Sequence, residues 1–547
     1  MTHADSAPRA DGHAAGDSAR HADAVHDRRQ WAIGLAIALA ALLLRFWRIG
    51  HTNLWTDEVG AVDLARRTIP EILANVRQSP HGPGYYVLLH WWMTLFGTGE
   101  AASRALSAVT GAAVVLAVYR IALRIGAASG AGPATRLASI AAVLTALSPV
   151  QLYFSQESRF HMVATAFAVA ALAGYLAWRE RAVGALGGWR VACGGWRERG
   201  ADFLRFVVPT ALALYAYPLC ALVTFACWVD AALLLLSRDA PRGARTRVAG
   251  EWLLLNVAVA LLCVPLVIGR GLGAGAISST QVWRTALGVR GAADAFLYYP
   301  LHQFQSRFLW WDTFPGAFGA YRDGMRWWPA TERVLRTVSL PLACVVVAAT
   351  LALALRRSWR TPWRAVWLAA LVPLAAESAI SVKQSLELSR YALFVAPPLF
   401  LLVARGLLAL RPRAVAAASL VVLLATMAFG IVKYEQVDVR DSDYRLVADL
   451  LRRGAHAGDS VVASPWYVAP TVSYYVPSLT FEIREKYRHG WSNAGFPSRT
   501  GPTGDWWLVV DYRGGDLFHA PVDSIEGAAT FGGARVRAVL DTMLPTS

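Results

Sequence analysis

Apolar residues in this chain fall in long runs separated by short polar stretches. Eleven runs, at about 31–47, 102–125, 136–154, 160–178, 203–217, 218–236, 251–270, 335–355, 364–382, 391–410 and 414–432, approach the length needed to cross a hydrocarbon core roughly 30 Å thick. The pattern predicts an all-α polytopic membrane protein with about 11 transmembrane helices. One further apolar stretch, Tyr85 to Phe96, reaches only ~18 Å at helical rise and is too short to span. It is expected as a re-entrant or interfacial helix, which makes residues 49–101 one long outer loop. Within that loop Val62, Ala65, Ile69, Ile72 and Val76 recur at steps of three and four, marking one helical face. Thr68-Ile-Pro-Glu71 has the form of a capping box with proline in the first turn. Two short helices end to end on the membrane surface are expected there.

The two ends differ from the middle. Met1 to Gln30 is rich in Ala, His, Asp and Arg without an apolar period, and reads as a disordered cytoplasmic tail. Its histidines (His3, His13, His21, His26) are expected to be solvated rather than metal-bound. Trp31 to Trp47 is too long for a signal-peptide core and reads as a retained first span, with Arg45 snorkelling near its end. Beyond residue 433 the chain turns polar. A helix at Tyr444–Arg453 and strands at Val461–Val462 and Asp505–Tyr512 predict a small extracytoplasmic α/β domain over 434–547. The expected domains are thus a tail, 1–30, a transmembrane domain, 31–433, with outer loops 49–101 and 271–334, and this terminal domain.

Composition agrees with the pattern. With 56% hydrophobic and 16% charged residues and a mean hydropathy of +0.38, the chain departs from soluble domains, which run about 25% charged. A net charge of +16 would suggest nucleic acid in a soluble protein. Here the basic residues, all arginine except Lys383, Lys433 and Lys486, gather in short loops, among them Arg124 and Arg136, Arg179 to Arg199, Arg238 to Arg247, Arg356 to Arg364, and Arg411 and Arg413. With the amino terminus cytoplasmic, every inside loop is Arg-rich, as the positive-inside rule requires. A multi-pass protein of the inner (plasma) membrane is expected, with no nucleic-acid partner. None of the cysteines (Cys193, Cys220, Cys227, Cys263, Cys344) lies in an outer loop, so no outer disulfide is expected.

Two polar groups stand at the outer mouths of spans: Trp55-Thr-Asp57-Glu58 and Ser155-Gln156-Glu157-Ser-Arg159. Carboxylates beside a bilayer are costly to desolvate and are usually paired or placed in a polar cavity. Between them Ser79-Pro-His81-Gly-Pro83-Gly-Tyr85-Tyr86 leads into the short aromatic helix and brings a base and two phenols to the same depth. Such a set suits a reaction on a lipid-linked substrate.

These residues, together with the run Ser148 to Arg159 (Ser-Pro-x-x-x-Tyr-x-Ser-Gln-Glu-x-Arg) and Ser389-Arg390-Tyr391 followed by Pro397-Pro398, resemble the family 39 type of GT-C glycosyltransferases over roughly residues 30–432. That group includes protein O-mannosyltransferases and the aminoarabinose transferases of lipid A. Relatives often have His-Pro-Pro or Lys-Pro-Pro where this chain has His81-Gly-Pro83. The resemblance implies an inverting transfer of a sugar from a polyprenyl-phosphate donor to an extracytoplasmic protein, lipid or glycan acceptor. Carried over by position, it makes Asp57 the general base, with Glu58 beside it, and Arg159 and Arg390 the cations for the leaving phosphate. His81, Tyr85, Tyr86, Gln156, Glu157 and Tyr391 complete the expected substrate-binding set.

Bland readings stand beside these. Arg390 would flank its span at the interface, Glu157 would pair with Arg159, and Tyr85, Tyr86, Trp91 and Trp92 would anchor the helix at the bilayer surface. Tyr298, Tyr299, His302, Gln303, Arg307, Trp310, Trp311 and Asp312 in loop 271–334 are expected as a lid or as interfacial packing. Glu377 would line the cavity, and Asp230 is expected to have a local partner. No ligand cluster has diagnostic metal spacing, although Asp57, Glu58 and Glu157 would hold a divalent cation if they converged. A transporter or flippase of lipid-linked sugar is the competing function, but no paired halves with interrupted spans are visible.

Overall fold

The computed structural model describes residues 11–75, 81–128, 134–186, 200–236, 241–271, 287–304, 340–356, 361–383, 388–436, 444–455, 460–464, 468–483, 506–510, 530–531 and 534–539. Arg307, Trp310, Trp311, Asp312, Cys193, Ser79 and Pro80 lie outside them. Helix α1 (Asp11–Phe46) begins inside the stretch expected to be a disordered tail. Ala14, Ala15, Ala19, Ala22 and Ala24 give that stretch the helix propensity that a search for apolar periodicity overlooks.

Segment 49–101, expected as one outer loop, holds two short helices, α2 (Thr56–Arg66) and α3 (Ile69–Asn75). Thr68 N and Oγ1 donate to Glu71 at 2.8 and 2.7 Å, which starts α3 as the capping pattern predicts. Val62, Ala65 and Ile72 are buried along the expected stripe. Helix α4 (Gly84–Phe96) is the non-spanning aromatic helix. It buries Tyr85, Tyr86, Leu89 and Met93 and exposes Trp91, Leu95 and Phe96, the division expected of an interfacial helix.

Helices α5 (Glu100–Ala128), α6 (Ala134–Leu147), α7 (Pro149–Ser155) and α8 (Phe160–Leu186) form the centre of the bundle. Helices α6 and α7 meet at a 60° bend. Pro149 has no N–H for the carbonyl of Thr145 and so breaks the ladder. Arg45 fills the gap: its Nη1 donates to Ala146 O at 3.3 Å, its Nη2 to Thr145 O at 3.5 Å and its Nε to Ser155 Oγ at 3.0 Å. Arg45 is fully buried, which corrects its reading as a snorkelling residue, because carbonyls orphaned by a helix break are a better partner than the bilayer surface.

A π-helical turn (Phe203–Val207) leads into α9 (Val208–Ala216), followed by α10 (Ala221–Leu235), α11 (Arg242–Gly271), α12 (Gly288–His302), α13 (Leu340–Leu355) and α14 (Trp363–Ser381). Then come α15 (Leu388–Tyr391), α16 (Ala396–Ala409) and α17 (Arg413–Gln436). Among the described residues seven helices are long and apolar enough to cross a membrane, or eight if the bent pair is one span; Pro341–Leu355 and Leu393–Ala409 are apolar but shorter. The expected span 391–410 is broken near its start, where Pro397 and Pro398 sit in the first turn of α16.

The terminal α/β unit carries α18 (Tyr444–Gly454), β1 (Ser460–Ser464), α19 (Val468–Tyr475), β2 (Thr480–Ile483), β3 (Trp506–Val510), β4 (Thr530–Phe531) and β5 (Ala534–Val539). The sheet order is β2-β1-β3-β5-β4, parallel except for β4 against β5. Val447 and Leu451 of α18, Val461 of β1 and Val472 of α19 form its small core.

Candidate active site

Three parts of the chain meet around Asp57: the start of α2, the turn between α7 and α8, and α15. The Nη2 of Arg159 lies 3.4 Å from Asp57 Oδ2, and its Nη1 donates to the Asp57 carbonyl at 3.0 Å. Arg390 Nη2 donates to the same carboxylate oxygen. The Asp57 side chain keeps 36% of its surface accessible, against 9% for Arg159 and 11% for Arg390. One carboxylate thus reaches an open space whose floor is two largely buried guanidiniums. Burial pushes the Asp57 carboxyl up, but Arg159 and Arg390 more than offset this and hold it well below the usual carboxylate range, with a smaller contribution from His81. Burial lowers the Arg159 guanidinium, and Asp57, with smaller contributions from Tyr86 and Glu157, more than offsets this, so its proton is held more tightly than usual.

Arg390 is fixed from behind by a residue the sequence reading missed. Its Nε donates to His161 Nε2 at 3.1 Å. The His161 ring packs on Phe160, Phe154 and Tyr391, and Tyr391 stacks on Tyr217 at 6.1 Å between centroids. The sequence signal for His161 is its place two residues after Arg159, one helical step into α8. Trp55 lies under the Arg390 guanidinium at 5.2 Å.

His81 rests on Phe160 at 4.5 Å between ring centroids, and Tyr85 reaches Ser158 Oγ at 3.5 Å. Burial raises the phenols of both Tyr85 and Tyr86, so both are neutral in the resting site. The His-Gly-Pro sequence has a packing reason. A Cβ on Gly82 would stand 1.9 Å from the carbonyl oxygen of Tyr215 in α9, so only glycine lets the two backbones touch.

Glu58 does not share the role of its neighbour. It is fully buried and forms an ion pair with Arg104, whose Nε and Nη2 donate at 2.7 and 2.6 Å. Ser158 N donates to its Oε1 at 2.7 Å and Trp55 N to its Oε2 at 3.3 Å, the second capping the start of α2 with its own N3 side chain. The expectation of a catalytic Glu58 is corrected: at helix position N3 its side chain folds back to the cap, away from the opening. Gln156 is likewise inward, donating to the carbonyls of Arg45 and Trp47 at 3.1 and 2.8 Å. Glu157 is buried and accepts from Tyr153 at 3.4 Å. Neither side chain lines the opening, which corrects their place in the substrate set. Asp57, Glu58 and Glu157 do not converge as cation ligands; among the described residues no three His, Cys, Asp or Glu gather.

The terminal unit abuts the same loop through α19. Tyr475 accepts from Leu54 N at 2.8 Å and donates to Glu100 at 3.2 Å. Thr471 Oγ1 lies 3.2 Å from Thr56 Oγ1, beside Asp57. Tyr474 donates to Thr98 O at 3.0 Å and lies under the Arg66 guanidinium. Of loop 271–334, Tyr299 of α12 donates to Ala392 O at 2.6 Å and braces the segment after Arg390, while Gln303 O accepts from Ser148 at the break between α6 and α7. Burial lowers His302 to about 3. Glu377 in α14 is fully buried.

Neither a protein-family model nor a curated protein matches the sequence. Among solved structures, ArnT from Cupriavidus metallidurans in the apo state matches with a TM-score of 0.52 at 12% identity, over 92% of this chain and 92% of that one. The same protein bound to undecaprenyl phosphate gives 0.48 at 15% identity, over 81% and 74%. The oligosaccharyltransferase of Archaeoglobus fulgidus in complex with Zn and sulfate gives 0.48 at 14% identity over 83% of this chain, which spans only 62% of that protein's length. The chain thus shares the fold of the apo ArnT structure.

Proposed function

We propose that the chain transfers a sugar from a polyprenyl-phosphate donor to a hydroxyl acceptor on the extracytoplasmic side of the membrane, with inversion and with Asp57 as base. The observation that carries this reading is a half-open carboxylate held by two largely buried guanidiniums at the mouth of an apolar bundle. An anionic phosphate and a neutral hydroxyl need opposite partners, and Asp57, Arg159 and Arg390 supply both at one point.

In the resting site the guanidiniums occupy Asp57. A lipid phosphate entering between Arg159 and Arg390 competes for the same N–H groups and partly releases the carboxylate, whose affinity for a proton then rises toward that of a useful base. The acceptor oxygen attacks the anomeric carbon as the bond from that carbon to the phosphate oxygen breaks. The hydroxyl proton passes to Asp57, and the departing phosphate leaves with its charge against Arg159 and Arg390. A single displacement of this kind inverts the anomeric centre. His81, Tyr86 and Tyr391 flank the sugar, with the fully buried Tyr85 packed behind them on Phe160, and the terminal unit, docked beside Thr56, contributes to acceptor selection.

The test is transfer from a radiolabelled polyprenyl-phosphate sugar by purified protein in liposomes, wild type against Asp57→Asn. Transfer by the variant at the wild-type rate removes the base assignment. Movement of intact lipid across the bilayer without a new glycosidic bond favours a flippase instead.

A further inference from the structure

A cavity of about 630 Å³ opens at the end of the bundle away from Asp57, between α1, α5, α8 and the π-helical turn. Arg120, one of its lining residues, lies ~24 Å along α5 from Arg104, which itself touches Glu58 beside the active site. The volume falls in the range of small-ligand sites, roughly 300–1,000 Å³. Three arginines line it: Arg120 and Arg124 from α5 and Arg205 from the π-turn. Glu180 holds Arg124 at 2.8 Å, with both side chains about half exposed. Arg205 has no acidic partner among the described residues. The Arg120 guanidinium lies 3.6 Å over the ring of Trp31.

The cavity is built, not left over. A Cβ on Gly174 would stand 2.0 Å from the carbonyl oxygen of Arg205, so the glycine lets the π-turn lie on α8 and sets Arg205 at the rim. A π-turn widens the helix locally and exposes a residue that an α-turn would tuck in. On the other wall Tyr119 donates to Gln30 O at 2.9 Å and Gln30 donates to Thr135 at 3.3 Å, fixing the α1 backbone beside Trp31. The remaining lining, including Ile121, Leu123, Ala170 and Leu176, is apolar. Cations at the rim and hydrocarbon walls below match a molecule with an anionic head and acyl chains, and basic pockets between membrane helices suit such headgroups.

We propose that this cavity binds the phosphate headgroup of an anionic membrane phospholipid, with its chains along α5 and α8. The site is separate from the transfer site and independent of its chemistry. The test uses the full chain in neutral detergent, with dioleoyl phosphatidylglycerol and dioleoyl phosphatidylcholine as probes and native mass spectrometry as readout. Phosphatidylglycerol is expected to be retained over phosphatidylcholine, and retention to fall roughly fivefold with each of Arg120→Ala and Arg205→Ala, the worth of one basic residue near an anionic lipid. Millimolar inorganic phosphate is expected to leave the adduct in place; its displacement overturns the assignment to a lipid. Equal retention of the two lipids by wild type, or unchanged retention in the double variant, overturns the site. Ala170→Trp keeps every arginine and sets a bulky ring across the cavity between α5 and α8. It gives an independent reading if the arginine variants fail to fold: loss of the adduct supports the site, and retention overturns it.

Discussion

The molecule contains the same three-charge arrangement twice. At one end of α8, Asp57 meets Arg159 and Arg390; ~30 Å along the same helix, Asp230 meets Arg179 and Arg364. The second cluster is closed. Asp230 is fully buried, Arg179 and Arg364 donate to its two oxygens at 2.6 and 2.5 Å, and Tyr175 adds a third hydrogen bond at 2.7 Å. The first cluster places both arginines on one oxygen and leaves a third of the aspartate surface open. Identical residue types therefore serve a structural lock in one place and suit chemistry in the other. What separates them is the unfilled coordination of the carboxylate, which Tyr175 helps to complete at Asp230, not its charge or its arginine partners.

Substitutions can break that contrast. Asp57→Asn is expected to lower the transfer rate by roughly 10²–10⁴-fold, the usual worth of a positioned base, while the thermal midpoint in detergent shifts less than for any change at Asp230. Asp230→Asn is expected to do the reverse. It leaves Arg179 and Arg364 buried without a counter-charge, at a cost of about 3–5 kcal/mol, read as a lower midpoint with the activity per folded molecule retained. Glu58→Gln belongs with Asp230, since it strands the buried Arg104; a variant as stable as wild type but inactive would return Glu58 to the chemistry.

The pH dependence sharpens the comparison further. Because the folded Asp57 carboxyl is held below its ordinary value near 3.9, its ionisation favours the folded state above that pH, and the benefit is lost as pH falls. Wild type should therefore lose more stability than Asp57→Asn on acidification below about pH 4. For activity, kcat/KM reports the free enzyme and kcat the complex. A donor phosphate that draws Arg159 and Arg390 away should place the acid limb of kcat at higher pH than that of kcat/KM. Coincident limbs would mean that the arginines never leave Asp57. The smallest effect belongs to Tyr475→Phe, expected to cost about 1 kcal/mol for the lost hydrogen bonds, seen as a small drop in midpoint.

Much of this was legible in the chain. The spans, the short aromatic helix, the capped α3 and the strands β1 and β3 follow from periodicity and length. Asp57, Arg159 and Arg390 were also within reach, though Arg390 stands 333 residues from Asp57 and no local pattern links them. Glu58 was misread because adjacency in sequence says nothing about side-chain direction at a helix start: Asp57 points out of the first turn, and Glu58 folds back to the cap. Arg45 was misread for a related reason. A charge near the end of a span satisfies the rule for snorkelling, and only the break at Pro149, about a hundred residues on, creates the carbonyls that draw it inward. Partnerships closed across the bundle carry no periodic signal.

The bond from Leu54 N to Tyr475 joins residues 421 apart and bears on how the protein is made. At a synthesis rate of about 5–20 residues per second, the loop that carries Asp57 waits roughly 20–80 s for the tyrosine that holds it. Through that interval the apolar helices and the charged residues around Asp57 come together without that brace. Ribosome-stalled chains ending before α19 would then carry an assembled Asp57 cluster on an unsecured loop, so the emergence of α19 sets the moment at which the site becomes fixed.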